Sequence, residues 1–317
     1  MLVKKKDGST RCCVDYRGLN AVTTKDSYPL PRVDDTLDAL TGAQWFSTLD
    51  LKSGYHQVEV AEEDREKTAF SSGQGLYQFK VMSFGLVNAP ATFERLMERV
   101  LDGLLWKGAL VYLDDVLVHG KSFEGALERL KAVLDRFRAA NVKLSPKKCC
   151  LFQREVPFLG HIVSSEGVKT NPGKVEAVKE WPVPRNVTEV RGFIGLCTYY
   201  RRFVKAFAQI AAPLHHLTRK GACFYWSEDC QRAFEELKEA LAKAPVLPYP
   251  DPEKPYVLDC DASAEGVGAV LSQEKDGQEW VVSYFSRKFS APERNYCVTR
   301  KELLAVVLAL DHFHPYL

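Results

Sequence analysis

Two adjacent aspartates, Asp114 and Asp115, sit between two β-forming runs in Ala109-Leu-Val-Tyr-Leu-Asp-Asp-Val-Leu-Val-His-Gly120. Strand, two-residue turn, strand is a hairpin pattern that holds both carboxylates at a rigid tip. Like charges so close repel, and a divalent cation such as magnesium keeps both ionised near neutral pH. Aspartate is also a common turn residue, so a solvated turn without function is an equal reading of these two residues alone. The segment Trp45-Phe-Ser-Thr-Leu-Asp50-Leu-Lys-Ser-Gly-Tyr55-His-Gln-Val-Glu-Val60 shifts that balance. Asp50 ends a short apolar run, where it can meet the hairpin tip of a neighbouring strand, and the residues after Gly54 read as a further alternating strand. Three converging carboxylates are what two-metal phosphoryl transfer requires, one ion activating the attacking oxygen and the other stabilising the leaving one.

Five segments then occur in a fixed order: Lys4-Lys-Lys-Asp-Gly-Ser-Thr-Arg11-Cys-Cys-Val-Asp-Tyr-Arg17-Gly-Leu-Asn20, Leu49-Asp50-Leu-Lys-Ser-Gly-Tyr55-His-Gln, Met82-Ser-Phe-Gly-Leu-Val-Asn-Ala-Pro-Ala-Thr-Phe93, Tyr112-Leu-Asp-Asp115 and Phe158-Leu-Gly-His161. In order and spacing they closely resemble the reverse transcriptase of gypsy-type (metavirus-like) LTR retrotransposon Pol polyproteins, over nearly the whole chain. The resemblance implies an α+β right-hand polymerase with partial fingers, a palm and a helical thumb. Asp50, Asp114 and Asp115 would be its palm carboxylates and the ligands of two Mg2+ ions, with Mn2+ able to substitute. Lys5 or Lys6 and Arg11 would hold the incoming triphosphate, Arg through forked bonds to phosphate oxygens and Lys as a mobile charge. Tyr55, Phe84 and Gly85 would lie under the nucleotide's base and sugar, and Phe158, Leu159, Gly160 and His161 would grip the primer terminus. The implied partners are an RNA or DNA template with its primer and deoxynucleoside triphosphates, with protease and integrase as polyprotein neighbours. The implied setting is intracellular, cytoplasmic, with the nucleus or retroelement particles as alternatives. Related sequences usually carry Pro where Ser83 stands and a Trp where Thr10 stands; neither change removes a reacting group.

Composition agrees with a globular intracellular enzyme. The chain has 317 residues, 46% of them hydrophobic, enough for two or more domains. Its apolar runs are short and Met1-Leu-Val leads straight into lysines, so neither a signal peptide nor a membrane span is expected. Nine cysteines with no Cys-x-x-Cys suggest reduced thiols, not a disulfide framework or a zinc site. The net charge of +2 hides an asymmetry, because Lys143 to Lys220 holds fourteen Lys or Arg against five Glu. A basic stretch following an acidic centre suits a protein that holds duplex by its phosphates.

The elements that must position these residues follow from periodicity. Residues 1 to about 30 read as strands, Val33 to Leu40 as a short helix, and Pro90 onward as a helix with Phe93, Leu96, Met97 and Val100 on one face. Ser122 starts an amphipathic helix ending near Asn141, which leaves the first region as strands with helices on one side. Helices follow at Lys174 to Trp181 and from Asn186, and Ser227 caps another through Ala242. Tyr199-Tyr-Arg-Arg-Phe203 interleaves aromatic and cationic groups, a composition suited to a nucleic-acid backbone.

A Pro-rich stretch, 245 to 255, reads as a linker. After it, residues 256 to 285 read as three antiparallel strands and Thr299 to Leu310 as an apolar helix, an arrangement that resembles the start of a ribonuclease H-like α/β domain. The expected division is therefore 1–166 for fingers and palm, 167–244 for thumb and connection, 245–255 for the linker and 256–317 for the partial ribonuclease H-like domain. Asp261 and Glu302 would be the first two metal carboxylates of that domain. In the family a third carboxylate lies just past residue 317, so the ribonuclease H-like domain is expected to be inactive; the resemblance also implies a further fingers segment before residue 1. Two rival readings are a retroelement fragment that binds RNA or RNA/DNA hybrid without catalysis, and a protein that is mainly a ribonuclease H.

Overall fold

The computed structural model describes residues 2–4, 8, 10–73, 75–275 and 277–317. The chain divides into two compact units, Met1–Leu159 and Gly160–Leu317.

In the first unit β1 (Leu2–Lys4) and β2 (Thr10–Cys12) pair antiparallel. Next come α1 (Arg17–Val22), α2 (Val33–Asp38) and β3 (Trp45–Asp50). A two-stranded ribbon of β4 (Phe70–Ser71) and β5 (Leu76–Tyr77) precedes α3 (Ala89–Val100). The hairpin strands are β6 (Ala109–Tyr112) and β7 (Asp115–Gly120), followed by α4 (Phe123–Ala139), β8 (Cys150–Gln153) and β9 (Glu155–Phe158).

The central sheet has the order β6-β7-β3-β8. Side chains alternate across a strand, so Leu49, Val116 and Val118 point to one face. There they meet Phe93 and Met97 of α3 and Leu130, Val133 and Phe137 of α4 in one buried cluster. The helical face expected from the spacing of Phe93 and Met97 is thus the face that packs. Ser122 caps α4 by accepting the Gly125 N–H at 3.1 Å.

Two expectations for this unit are corrected. Residues 17–22 form a helix, not a strand; none of its residues is buried, so no apolar period marks it. Tyr55 does not open an alternating strand either. Gly54–Gln57 is a 3-10 turn, pinned where the Gln57 amide donates to the Lys52 and Lys143 carbonyls, both at 2.9 Å.

His119 of β7 is buried at 6% exposure, and its Nε2 has no hydrogen-bond partner among the described residues. Burial, aided by the Arg129 charge, pulls its pKa from 6.5 to about 4. A depressed histidine pKa means the unfolded chain binds the proton first, so stability falls as pH drops from about 6.5 through 4. The slope contributed by one such group is at most about 1.4 kcal/mol per pH unit. Urea titrations at pH 7 and pH 5 should show a larger loss for the wild type than for His119→Phe; equal losses would contradict this account.

The second unit opens with the hairpin β10 (His161–Ser164) and β11 (Gly167–Thr170). Five helices follow: α5 (Pro172–Lys179), α6 (Val187–Tyr199), α7 (Phe207–Ile210), α8 (Ala212–Leu217) and α9 (Glu228–Ala242). Asn186 caps α6 and Ser227 caps α9. Val190, Phe193, Ile194 and Cys197 form the buried face of α6.

An antiparallel sheet of β12 (Tyr256–Ala262), β13 (Gly266–Lys275) and β14 (Gln278–Lys288) comes next, with α10 (Ala291–Arg294) and α11 (Val298–Phe313). Ala305, Ala309 and Phe313 of α11 are fully buried against this sheet. The Pro-rich stretch is tied down at two points. Leu247 and Val168 exchange backbone hydrogen bonds of 2.8 and 2.9 Å, and the Gln273 amide donates to the Asp251 carbonyl at 2.8 Å.

The segment Tyr199 to Phe203 offers less surface than its composition suggests. Tyr200, Arg202 and Phe203 are buried, and only Tyr199 and Arg201 face solvent. Aromatic and cationic residues alternate in the same way whether the rings enter a core or line a surface. Here the His161 ring decides it, packing against Tyr199, Tyr200 and Phe203 at 5.2 to 5.7 Å.

No helix of the described residues is long and apolar enough to cross a membrane. Among the described residues the cysteines, Cys149 and Cys150 included, are free thiols.

Candidate active site

The hairpin closes one residue earlier than its composition suggests. Tyr112 and Asp115 are cross-strand partners, so the two turn residues are Leu113 and Asp114, and Asp115 is the first residue of β7. Leu113 adopts φ +54°, a left-handed conformation that hairpin turns require and that leucine resists. Asp115 also lies opposite Asp50 of β3. Directly opposed residues share a face, so both carboxylates project from the side of the sheet away from α3 and α4.

That juxtaposition has an electrostatic cost. Desolvation raises the Asp115 carboxyl pKa above its ordinary value, and the nearby Asp50 charge raises it further, although Asp115 keeps solvent access. The Lys148 ammonium, 3.4 Å from both oxygens of Asp50, offsets part of the negative charge. The backbone joins them too, since the Asp50 carbonyl accepts the Ser145 N–H at 2.8 Å.

Asp114 is aimed differently. Its Oδ1 lies over Gly54, where a Cβ would come within 2.5 Å of that oxygen and 3.1 Å of Phe93 Cζ. The structure therefore brings Asp50 and Asp115 together and turns Asp114 toward the 3-10 turn after β3. Among the described residues no group of three or more His, Cys, Asp or Glu is arranged to hold an ion, His215, His216, His312 and His314 included. The opposed pair fits a divalent cation in its chemistry: two hard oxygen donors whose mutual repulsion a cation would relieve.

Tyr55 packs against Phe84 at 5.0 Å and Phe93 at 5.4 Å between ring centroids. Desolvation first, then the charges of Asp114 and Glu94, push its phenol pKa up, so it stays neutral. Gly85 takes φ +96° and its carbonyl accepts from the Asn20 amide at 2.8 Å. Arg11 lies in β2 opposite Val3. Lys5 and Lys6 fall outside the described residues.

Around the 158–161 turn, Phe158 and His161 are buried, so the turn presents Leu159 and Gly160, both at positive φ. In the second unit Asp261 lies in β12 opposite Gly268, and Glu302 lies on α11; both are exposed. The Lys301 ammonium, donating to the Ala264 carbonyl at 3.2 Å, ties the start of that helix to the loop after β12.

Sequence reading missed Lys148, Gly54 and Glu94. Nothing local links Lys148 to Asp50, 98 positions away. Glu94 did carry a signal, since it interrupts the apolar stripe of Ala91, Phe93 and Met97 on α3.

Residues 3–163 match the family described as reverse transcriptase (RNA-dependent DNA polymerase). The chain belongs to the reverse transcriptase family. Residues 226–317 match the RNase H-like domain found in reverse transcriptase. Among curated relatives, the retrovirus-related Pol polyprotein from transposon 412 of Drosophila melanogaster is 40% identical over 323 residues, covering 100% of this chain and 26% of that protein. The Pol polyprotein from transposon gypsy of the same organism is 41% identical over 320 residues, covering 97% and 30%. The chain thus spans about a quarter to a third of the length of these relatives.

Solved structures agree in fold. A foamy viral protease-reverse transcriptase in complex with ds DNA superposes with TM-score 0.90 at 26% identity, covering 99% of this chain and 55% of that one. A second, in complex with RNA/DNA hybrid, gives TM-score 0.85 at 26% identity, covering 99% and 42%. The α+β polymerase fold with an RNase H-like domain, expected from the sequence motifs, is therefore the fold of this family member.

Proposed function

We propose that the chain is an RNA-directed DNA polymerase that adds deoxynucleotides to a primer 3′ end. The observation that carries this is the register of Asp50 against Asp115, with Asp114 in the adjoining turn of a hairpin inside the matched family segment. Asp50, Asp114 and Asp115 would hold two magnesium ions, which supply activation of the attacking hydroxyl and stabilisation of the leaving pyrophosphate. Asp50 and Asp115 bring opposed negative charge to one face, and Lys148 moderates that charge before substrate arrives. Lys5, Lys6 and Arg11 would bind the triphosphate, Phe84 and Gly85 the base and sugar, and Phe158 to His161 the primer terminus.

Residues 1–166 would serve as fingers and palm, 167–244 as thumb and connection, 245–255 as linker, and 256–317 as a ribonuclease H-like domain with Asp261 and Glu302 as metal carboxylates. The partners would be primer-template and deoxynucleoside triphosphates inside the cell; foamy viral proteins of this fold have been solved with ds DNA and RNA/DNA hybrid. The direct test is extension of a DNA primer on an RNA template with magnesium. Binding of primer-template without extension would favour the reading as a non-catalytic RNA-binding fragment.

Tyr55 would select the sugar. Its ring, fixed between Phe84 and Phe93, would fill the space of a 2′-hydroxyl and reject ribonucleotides by overlap. Tyr55→Ala should then raise ribonucleotide incorporation relative to deoxynucleotide, each tenfold change in that ratio corresponding to about 1.4 kcal/mol. Competition kinetics with the two nucleotides read this out; both rates falling together at an unchanged ratio would remove the assignment.

A further inference from the structure

Glu94 is out of place by every rule of helix burial. It lies on α3 at 0% exposure, between Phe93 and Met97, where an apolar side chain would cost nothing to desolvate. One oxygen explains the choice: Oε2 accepts the Leu113 backbone N–H at 2.6 Å. The other, Oε1, is buried with no hydrogen-bond partner among the described residues. A carboxylate taken fully out of water to satisfy one peptide N–H makes that peptide the purpose of the burial.

The peptide is the one that matters for the hairpin. Leu113 is the turn residue at φ +54°, and its conformation determines where the next side chain, Asp114, points. An outward N–H at the first turn position finds no acceptor within a two-residue hairpin. Glu94 provides that acceptor from a rigid helix. The neighbouring Phe93 closes on the same place, with Cζ 3.1 Å from a Cβ built at Gly54, beside Asp114 Oδ1. Two consecutive residues of α3 thus grip the hairpin turn on one side and bound the Asp114 carboxylate on the other.

We infer that Glu94 is a positioning residue for the carboxylate centre, holding the Leu113 peptide in the left-handed conformation that aims Asp114. This rests on the polymerase reading for its kinetic consequence, but not for the anchoring itself. Burial also pushes the Glu94 pKa up, opposed by the Leu113 hydrogen bond and reinforced by Glu98, so the group tolerates loss of its charge. A neutral amide that keeps one acceptor oxygen should therefore replace it, whereas a methyl or isobutyl group should not.

The test compares Glu94→Gln, Glu94→Ala and Glu94→Leu in the full chain. Residue-resolved amide hydrogen exchange should show Leu113 protected in the wild type and in Glu94→Gln, and exposed in Glu94→Ala and Glu94→Leu. In primer extension the Ala and Leu variants should lose about 10- to 100-fold in kcat and need more magnesium for half-maximal rate, as expected when a reacting group is displaced by about an ångström. Glu94→Gln should stay within about threefold of wild type, and primer-template affinity should not change in any variant. Glu94→Leu restores the apolar fill, so it keeps the test alive if the Ala variant fails to fold. A Leu113 amide that stays protected in a folded Ala or Leu variant overturns the inference, as does an unchanged magnesium dependence in an active one. A wild type that extends no primer defeats the polymerase reading instead, and the exchange measurement still decides the anchor.

Discussion

Asp114→Asn should reduce primer extension by about 10^3-fold or more while leaving primer-template affinity nearly unchanged. The substitution keeps the size and shape of the side chain, removes its charge and replaces one acceptor oxygen with an NH2 donor. The backbone of the turn is held independently, by the Tyr112 and Asp115 pairing and by Glu94. What is lost is a hard anionic oxygen in the turn adjoining the opposed Asp50 and Asp115, and such oxygens serve chemistry more than binding. Single-turnover extension and a gel-shift titration on the same preparation separate the two quantities. A parallel fall in affinity would mean that Asp114 supports the fold or the nucleic-acid surface instead.

Gly54→Ala should be nearly as damaging, although it adds a single methyl group. That carbon would stand 2.5 Å from Asp114 Oδ1 and 2.9 Å from its Cγ, with Phe93 Cζ behind at 3.1 Å. Gly54 is not at positive φ, so alanine strains no backbone there. The 3-10 turn is pinned through Gln57 and cannot easily retreat, which leaves the Asp114 carboxylate as the group that moves. A displacement of about an ångström at a reacting group costs about 10^2-fold in rate. Gly195→Ala, where nothing lies within 4 Å of the added carbon, provides the control. Melting temperatures close to wild type with a large loss of kcat would match the account. Full activity in Gly54→Ala would mean that Asp114 does not rest over Gly54 in the working protein.

The sequence motifs carried the family and the fold, and local signals carried most of the elements. Ser122, Asn186 and Ser227 each cap the helix their position implied, because capping is decided within three residues. The hairpin strands were legible from β-branched and apolar runs, but the turn was not. Two aspartates make a better turn by composition than Leu113 with Asp114 does, and the hydrogen bond from the Leu113 N–H to the buried Glu94, 19 positions earlier, is not readable from the turn itself. Asp50 could be placed at a strand end and Asp115 at the hairpin tip from sequence, yet their direct opposition depends on how β3 slides against β7, which no single segment encodes.

The same limit applies to burial. The Tyr199 to Phe203 run carries tyrosines and arginines, which composition alone would place at a surface. Instead the His161 ring packs into the aromatic group of Tyr200 and Phe203, and exposure there is a property of the packed unit, not of the residue types. Lys148 illustrates the limit from the other side, as one lysine among many in a basic stretch until the fold brings it to Asp50.

If the carboxylates of the first unit catalyse nucleotide addition on an RNA template, single-turnover extension of a labelled DNA primer annealed to RNA will show it, using the purified full chain with magnesium and with the metal chelated. The expected result is one-nucleotide extension that requires both the metal and the complementary deoxynucleotide. A chain that is folded by circular dichroism and binds the primer-template, yet extends it no further than a blank without protein, would contradict it.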